Sequence, residues 1–187
     1  MERDALNYKL QTSRMTIKTQ PKLQKRTLGT IIDYGLYSIF FSWLVITYGK
    51  PNDEGGYTLT DEPESWWIFI VWLIYFPIIE SIRGQTLGKM ILGLRVVTKN
   101  GNPISFGQAL KRHLVDMFDF MFFGIVAFIT IKNTPDHQRL GDLWAKTIVI
   151  GGDDFACTNC RDQLTLTPDE IIKREFVCPT CKTTVKI

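Results

Sequence analysis

The four cysteines of the chain fall in two pairs, Cys157-x2-Cys160 and Cys178-x2-Cys181, with 17 residues between them. A C-x2-C turn aims two thiolates at one ion about 2.3 Å away, and two such turns close a tetrahedral shell. The spacing is that of a zinc ribbon. It predicts a structural Zn2+ site with Cys157, Cys160, Cys178 and Cys181 as ligands. A closed four-thiolate shell leaves no open position, so no catalysis is expected there. A redox or disulfide role and an iron centre use the same residue types and stand as alternatives.

A second set of residues is notable for its surroundings. Asp33 and Glu80 are the single carboxylates of two long apolar runs, at 28–48 and 66–82, and Asp116 and Asp119 interrupt a third at 114–131. Arg26 and Arg112 open the first and third runs, and Asp142 follows the third. A charge inside a bilayer is costly and marks either a packing pair or a pathway. Arg26 and Asp33 are two helical turns apart on one face, and Arg112, Asp116 and Asp119 follow at i, i+4 and i+7. The expected arrangement is one buried cluster: Asp33 with Arg112, and Arg26 with Asp116, Asp119 or Glu80. Its role is either to lock helices together or to form an ion or proton site. In the second case Asp33 is the exchangeable carboxylate, with Arg26, Arg112 and Asp142 setting its charge state. His113 and His137 are isolated, and His113 beside Asp116 is weighed as a proton relay. Gly84-x3-Gly88-Lys89 is one residue short of a phosphate loop, and Met90 stands where Ser or Thr would hold magnesium, so that reading is rejected. No nucleophile and base fall together, and no enzymatic activity is expected.

The elements that position these residues follow from the apolar runs. About 20 helical residues at ~1.5 Å each match the ~30 Å hydrocarbon layer of a bilayer. The composition averages conceal this. The 187 residues are 45% hydrophobic with a net charge of +3, which excludes a disordered chain and argues against nucleic-acid binding. The charge is segregated. Residues 1–26 hold seven basic residues against two acids, 49–65 one against five, and 83–105 four against none. The positive-inside rule then places the N-terminus and 83–105 in the cytosol and 49–65 outside. The first run starts too late, is too long and lacks a small-residue site for a cleaved signal peptide.

Three full crossings would leave the cysteine-rich tail outside, whereas reduced thiolates favour the cytosol. Residues 94–98 and 146–150 read as short β-branched strands. Their pairing on the cytosolic side predicts that 106–131 enters the membrane and returns, bending near Gly124. The tail from 151 carries five basic and six acidic residues, again unlike a nucleic-acid module. It is too small to fold on an apolar core of its own, so metal would supply its folding energy. Residues 167–174 read as a capped helical turn.

With these residues laid out, the chain resembles the RDD family of small membrane proteins, named for one Arg and two Asp. Arg26 and Asp33 match the first two. Gly84-Gln85-Thr86-Leu87-Gly88-Lys89, continuing through Gly93-Leu94-Arg95-Val96-Val97 to Gly101, looks like the inter-helix motif, and Arg112 sits where members often carry Arg. Gln138-Arg139-Leu140-Gly141-Asp142 looks like the closing motif, with Asp142 as the second Asp. The likeness covers roughly 22–150. Gly141 departs from the His common before that Asp, and the cysteine-rich tail is an addition. The family is regarded as transport-related, with some members linked to sodium/proton exchange.

The expected protein is therefore an α-helical integral membrane protein. It has two transmembrane helices, a third membrane-embedded segment that is re-entrant or kinked, a small cytosolic strand pair and a C-terminal zinc ribbon. The expected divisions are a polar cytosolic arm (1–21), an RDD-like membrane domain (22–150) and the ribbon (151–187). The resemblance implies transport of monovalent cations or protons through the Arg/Asp cluster, in the plasma (inner) membrane. Three embedded segments are few for a pathway, so a homo-oligomer is expected. The alternative is a membrane-anchored scaffold or assembly factor whose ribbon binds a cytosolic protein partner.

Overall fold

The computed structural model describes residues 13–14, 16–53, 55–59, 65–122, 124–157, 159–167, 170, 173 and 175–186. Two helices among them are long and apolar enough to cross a membrane. The first, α1 (Leu23–Tyr48), buries only Gly29, Asp33 and Leu44 and exposes Ile31, Ile39, Trp43 and Ile46. Large apolar side chains exposed along a whole helix are what lipid, rather than water, solvates. It ends at Gly49, whose N–H returns to the Val45 carbonyl. The second, α2 (Trp66–Arg83), changes from α to π geometry over Ile74–Ile78, around Pro77. Proline lacks the N–H of a regular turn and crowds the preceding one, and a π turn is one way a helix absorbs that. Glu80 lies just beyond it, fully buried.

The short helix α3 (Leu87–Ile91) packs against α1. Gly88 makes that contact possible, because a Cβ there would collide with the Gly29 carbonyl oxygen and stand 3.0 Å from Asp33 Oδ2. Helix α4 (Phe106–Met121) begins with a capping box between Ser105 and Gln108, the reciprocal arrangement that satisfies two orphan donors. Helix α5 (Ile125–Asn133) follows after a 117° bend. Gly124 stands at that bend with φ of 74°, a left-handed conformation that glycine adopts without a Cβ clash. The break falls where the sequence places it. A last short helix, α6 (Leu140–Ala145), returns onto α4.

The two expected strands form one antiparallel pair. β5 (Leu94–Thr98) and β6 (Thr147–Gly151) run in register from Leu94 opposite Gly151 to Thr98 opposite Thr147. All of β6 is buried, and alternation explains why. Leu94, Val96 and Val149 pack with Ile104 and Ala109 on one side. Val97, Ile148 and Ile150 pack on the other with Phe155, Leu164, Leu166, Val185 and two of the cysteines. The strand pair is thus a two-sided plate between the helices and the cysteine-rich tail.

The tail is more tightly integrated than its spacing suggests. Of the arm, β1 (Ser13–Arg14) pairs with β10 (Thr184–Lys186), which pairs with β9 (Glu175–Val177). β2 (Thr16–Ile17) pairs with β7 (Phe155–Ala156), which pairs with β8 (Gln163–Leu164). Between α1 and α2, β3 (Lys50–Pro51) and β4 (Tyr57–Thr58) form a small hairpin. Residue 151 is therefore not a packing boundary. A 37-residue segment buries too little apolar area by itself, and this one borrows core from β5–β6 and strands from the arm. Residues 1–12 of the arm lie outside the described residues. Of the turn expected over 167–174, Thr167, Glu170 and Lys173 are described. Glu170 Oε2 accepts from the Thr167 N–H at 2.8 Å and from its hydroxyl at 2.7 Å.

Candidate functional site: a buried charge network and a four-cysteine cluster

The expected buried charges are present, but their pairing differs from the expectation. Asp33 does not meet Arg112. Its Oδ1 accepts from the Tyr75 hydroxyl at 2.8 Å and the Gly88 N–H at 2.7 Å, and its Oδ2 from the Thr86 hydroxyl at 2.5 Å. Asp33 thereby ties α1 to α2 and to the start of α3. A carboxylate accepting three short hydrogen bonds is well satisfied without a cation.

Arg112, fully buried on α4, is the hub of the remaining network. It donates through Nε to Glu80 Oε2 at 3.1 Å, through Nη1 to Asp142, and to the Thr147 hydroxyl at 2.9 Å. Glu80 also pairs with Lys89 of α3. His113 lies between two carboxylates, with Nε2 3.0 Å from Glu80 Oε2 and Nδ1 2.8 Å from Asp116 Oδ2. Asp116 also accepts from the Tyr34 hydroxyl at 3.0 Å and meets Arg139 Nη1 at 2.6 Å. Arg26 turns to backbone, donating to the His137 carbonyl at 2.8 Å and the Val149 carbonyl at 3.2 Å, with Asp142 Oδ2 3.6 Å away. Among the described residues Arg26 thus meets none of Asp116, Asp119 and Glu80, the expected partners, because the chain returns through α6 and β6 and brings other partners first. Buried ion pairs are tolerated when hydrogen bonds satisfy most of their remaining valences, and here they do.

Asp119 is the exception. It is buried, 8% exposed, and neither carboxylate oxygen has a hydrogen-bond partner among the described residues. It lines a cavity of about 390 Å³ together with Arg26, Arg112, Asp116, Arg139 and Asp142. The Arg26 Nε and Arg112 Nη2 donors are also buried and unpartnered. The upper walls are apolar, including Ile31, Phe120 and Phe128, all exposed at the surface.

Arg139 enters this network without having been singled out as a charge partner. Its signal was its place in the closing motif, three residues before Asp142. Lys89 carried no signal for Glu80, because the pair forms only when α3 folds back on α2.

The cysteine cluster has its expected geometry. The four Sγ atoms all lie within 4.8 Å of one another. Cys157 and Cys181 are 3.7 Å apart, and Cys160 and Cys178 3.6 Å. A tetrahedron of sulphurs about 2.3 Å from a central ion has edges of about 3.8 Å. A disulfide needs about 2.05 Å, and all four thiols are free. The two knuckles repeat one backbone design. The Cys157 N–H donates to the Asp162 carbonyl and that of Cys178 to Thr183, while Arg161 and Lys182 donate back to Cys157 and Cys178. Arg161 and Lys182 both take left-handed φ, near 59° and 58°. These four cysteines could bind a metal ion. Hydrogen bonds from Thr183 hold the Cys181 thiol down to about 6, toward the thiolate that a metal takes.

Lys22, the residue before α1, ties that helix to the start of the tail. It pairs with Asp153 and, at 2.7 Å, with Asp154. Burial pushes the Asp154 carboxyl above its ordinary range against the pull of Lys22.

Comparison with known proteins accords with this arrangement. Residues 20–146 match the family described as the RDD family. From Bacillus subtilis (strain 168), the "Uncharacterized membrane protein YteJ" is 27% identical over 66% of this chain and 73% of its own length. The "Uncharacterized protein YxaI" is 33% identical over 64% of this chain and 82% of its own. The "Uncharacterized protein YckC" is 31% identical over 65% and 78%. No solved structure matches the chain. The match spans the spanning helices, the bent pair and the network from Arg26 to Asp142, and the chain is a membrane protein that belongs to the RDD family.

Proposed function

We propose that the membrane domain binds a monovalent cation or proton at Asp119 and passes it across the bilayer, and that this role is non-enzymatic. One observation carries the reading: a buried carboxylate with no hydrogen-bond partner among the described residues, on the wall of a cavity between α1 and the bent pair α4–α5. A buried carboxylate without a hydrogen bond is unfavourable until it gains a proton or a close cation. Asp33, the carboxylate first expected to exchange, has both oxygens occupied and instead packs helices. In the same proposal the arm and ribbon are cytosolic, 106–131 enters and returns on that side, and copies of the chain assemble to complete a path. The pairing of β5 with β6 supports the return, because it brings both ends of that segment side by side. The test is cation-driven proton flux in liposomes containing the pure protein. Wild type and Asp33→Asn are expected to carry flux and Asp119→Asn to lose it. Equal flux in wild type and Asp119→Asn removes the reading.

The cysteine cluster is proposed as a structural Zn2+ site. Thiolates must be deprotonated to bind, so affinity falls as the solution is acidified. Bound zinc, measured by elemental analysis, is expected to be near one per chain at neutral pH. It is expected to fall on acidification, as protons compete with the metal for the thiolates. Zinc retained by the quadruple Cys→Ser variant would exclude the site. The scaffold reading has one specific observation behind it: Val177, 55% exposed on β9 at the end of its sheet. Strand edges accept added strands, and Val177→Lys would then abolish binding of a cytosolic partner while leaving zinc in place.

A further inference from the structure

The cavity that holds Asp119 is much larger than a proton or a metal ion needs. Its volume of about 390 Å³ lies in the range of small-molecule sites, where one water occupies about 30 Å³. Among the lining residues are unmet valences of both signs, two carboxylate oxygens on Asp119 and donors on Arg26 Nε and Arg112 Nη2, all with almost no surface of their own, so that a guest meets them as these side chains turn toward it. An anion would satisfy only the arginines, and a simple cation only Asp119. The formal charges balance. Arg26, Lys89, Arg112 and Arg139 line the cavity with Asp116, Asp119 and Asp142, and Glu80, off the lining but paired with Lys89 and Arg112, supplies the fourth carboxylate; His113, between Glu80 and Asp116, is off the lining as well. A guest with no net charge leaves that balance intact. The walls are apolar, and Ile31, Phe120 and Phe128 at the rim are exposed on elements of the membrane domain. Such a rim faces acyl chains.

We propose that this cavity binds a phospholipid head group with a primary ammonium beside a phosphate, a phosphoethanolamine lipid. The ammonium meets Asp119, the phosphate meets the free donors of Arg26 and Arg112, and the chains leave past the apolar rim. The inference rests on Asp119 as a cation site and names the cation's chemical class. A phosphocholine head group has no N–H to donate, and a phosphoglycerol head group has no cation. Soluble phosphoethanolamine has the same polar groups without the chains that the apolar walls would solvate.

The test is native mass spectrometry of the full-length protein in detergent. The protein is mixed separately with phosphoethanolamine, phosphocholine and phosphoglycerol lipids of identical chains, and with free phosphoethanolamine. A hydrogen-bonded ammonium–carboxylate contact predicts about tenfold preference for the phosphoethanolamine lipid. Asp119→Asn is expected to lower its retention to the phosphocholine level. Ala127→Trp, which fills the cavity without altering its charge, is expected to lose retention of every lipid. Equal retention of the three lipids overturns the inference. So does undiminished retention by Asp119→Asn, or free phosphoethanolamine bound as tightly as the lipid. Flux in liposomes lacking this lipid separates the two proposals. Asp119-dependent flux without head-group preference defeats this inference alone, and head-group preference without flux defeats the transport reading alone.

Discussion

Asp33 and Asp119 are both buried aspartates on helices of one membrane domain, and they differ in every neighbour. Asp33 receives a hydrogen bond from each of Tyr75, Thr86 and Gly88. Asp119 receives none and faces a cavity. The cost of a buried carboxylate depends on what compensates it. The first is therefore an element of packing, and the second a group whose free energy falls when something binds. Residue type and depth in an apolar run are the same for both, so only the partners distinguish them.

The largest expected effect tests the paired side of this contrast through its hub. Arg112→Leu removes the cation between Glu80 and Asp142 and leaves both carboxylates short of compensation. Breaking a buried pair from one side costs about 3–5 kcal/mol. Thermal unfolding in detergent, followed by tryptophan fluorescence, is expected to show a strongly lowered midpoint or an unfolded protein. A midpoint like that of wild type would mean that water reaches Glu80 and Asp142.

Next is Asp33→Ala, which strands the donors of Tyr75, Thr86 and Gly88. Each unsatisfied buried group costs about 1–3 kcal/mol, with relaxation and water entry recovering part of it. A net loss of about 3 kcal/mol is expected, with Asp33→Asn milder because its amide oxygen still accepts. Gly88→Ala approaches the same junction sterically. Its methyl meets the Gly29 carbonyl and Asp33, and overpacking of this kind costs about 1–3 kcal/mol. Gly88→Ala behaving like wild type would mean that α1 and α3 are not in contact.

How much of this arrangement the sequence carries depends on the range of the interaction. The spacing of Arg112, Asp116 and Asp119 on one helix, the two C-x2-C turns, the β-branched strands and the break at Gly124 are local, and each is found where expected. Membership of the charge cluster was visible only in part: Arg26, Glu80, Arg112, Asp116 and Asp142 share ion pairs, whereas Asp33 stands apart on hydrogen bonds and Arg139 and Lys89 join unforeseen. Partners were not visible. Arg112 meets Asp142 and Thr147 only once α6 and β6 return to α4, and Lys89 meets Glu80 only once α3 folds back. Helical periodicity has no term for either event. The arm strands Ser13–Arg14 and Thr16–Ile17 are two residues long and mostly polar, so no alternation marks them, although they complete both sheets of the tail.

The smallest expected effect on stability is the most informative about the contrast. Asp119→Leu removes a carboxylate that no donor compensates and fills part of the cavity with apolar volume. Since an unsatisfied buried group costs about 1–3 kcal/mol, its removal is expected to leave the unfolding midpoint unchanged or raise it by the equivalent of about 1 kcal/mol. Flux is nevertheless expected to vanish, as in Asp119→Asn. Asp33→Ala should show the opposite pattern, with stability lost and flux per folded molecule kept. If Asp119→Leu instead destabilises the protein as much as Asp33→Ala, then Asp119 has a compensating partner in the folded protein. The two aspartates would then be equivalent packing groups, and the cavity would have no free carboxylate to offer a guest.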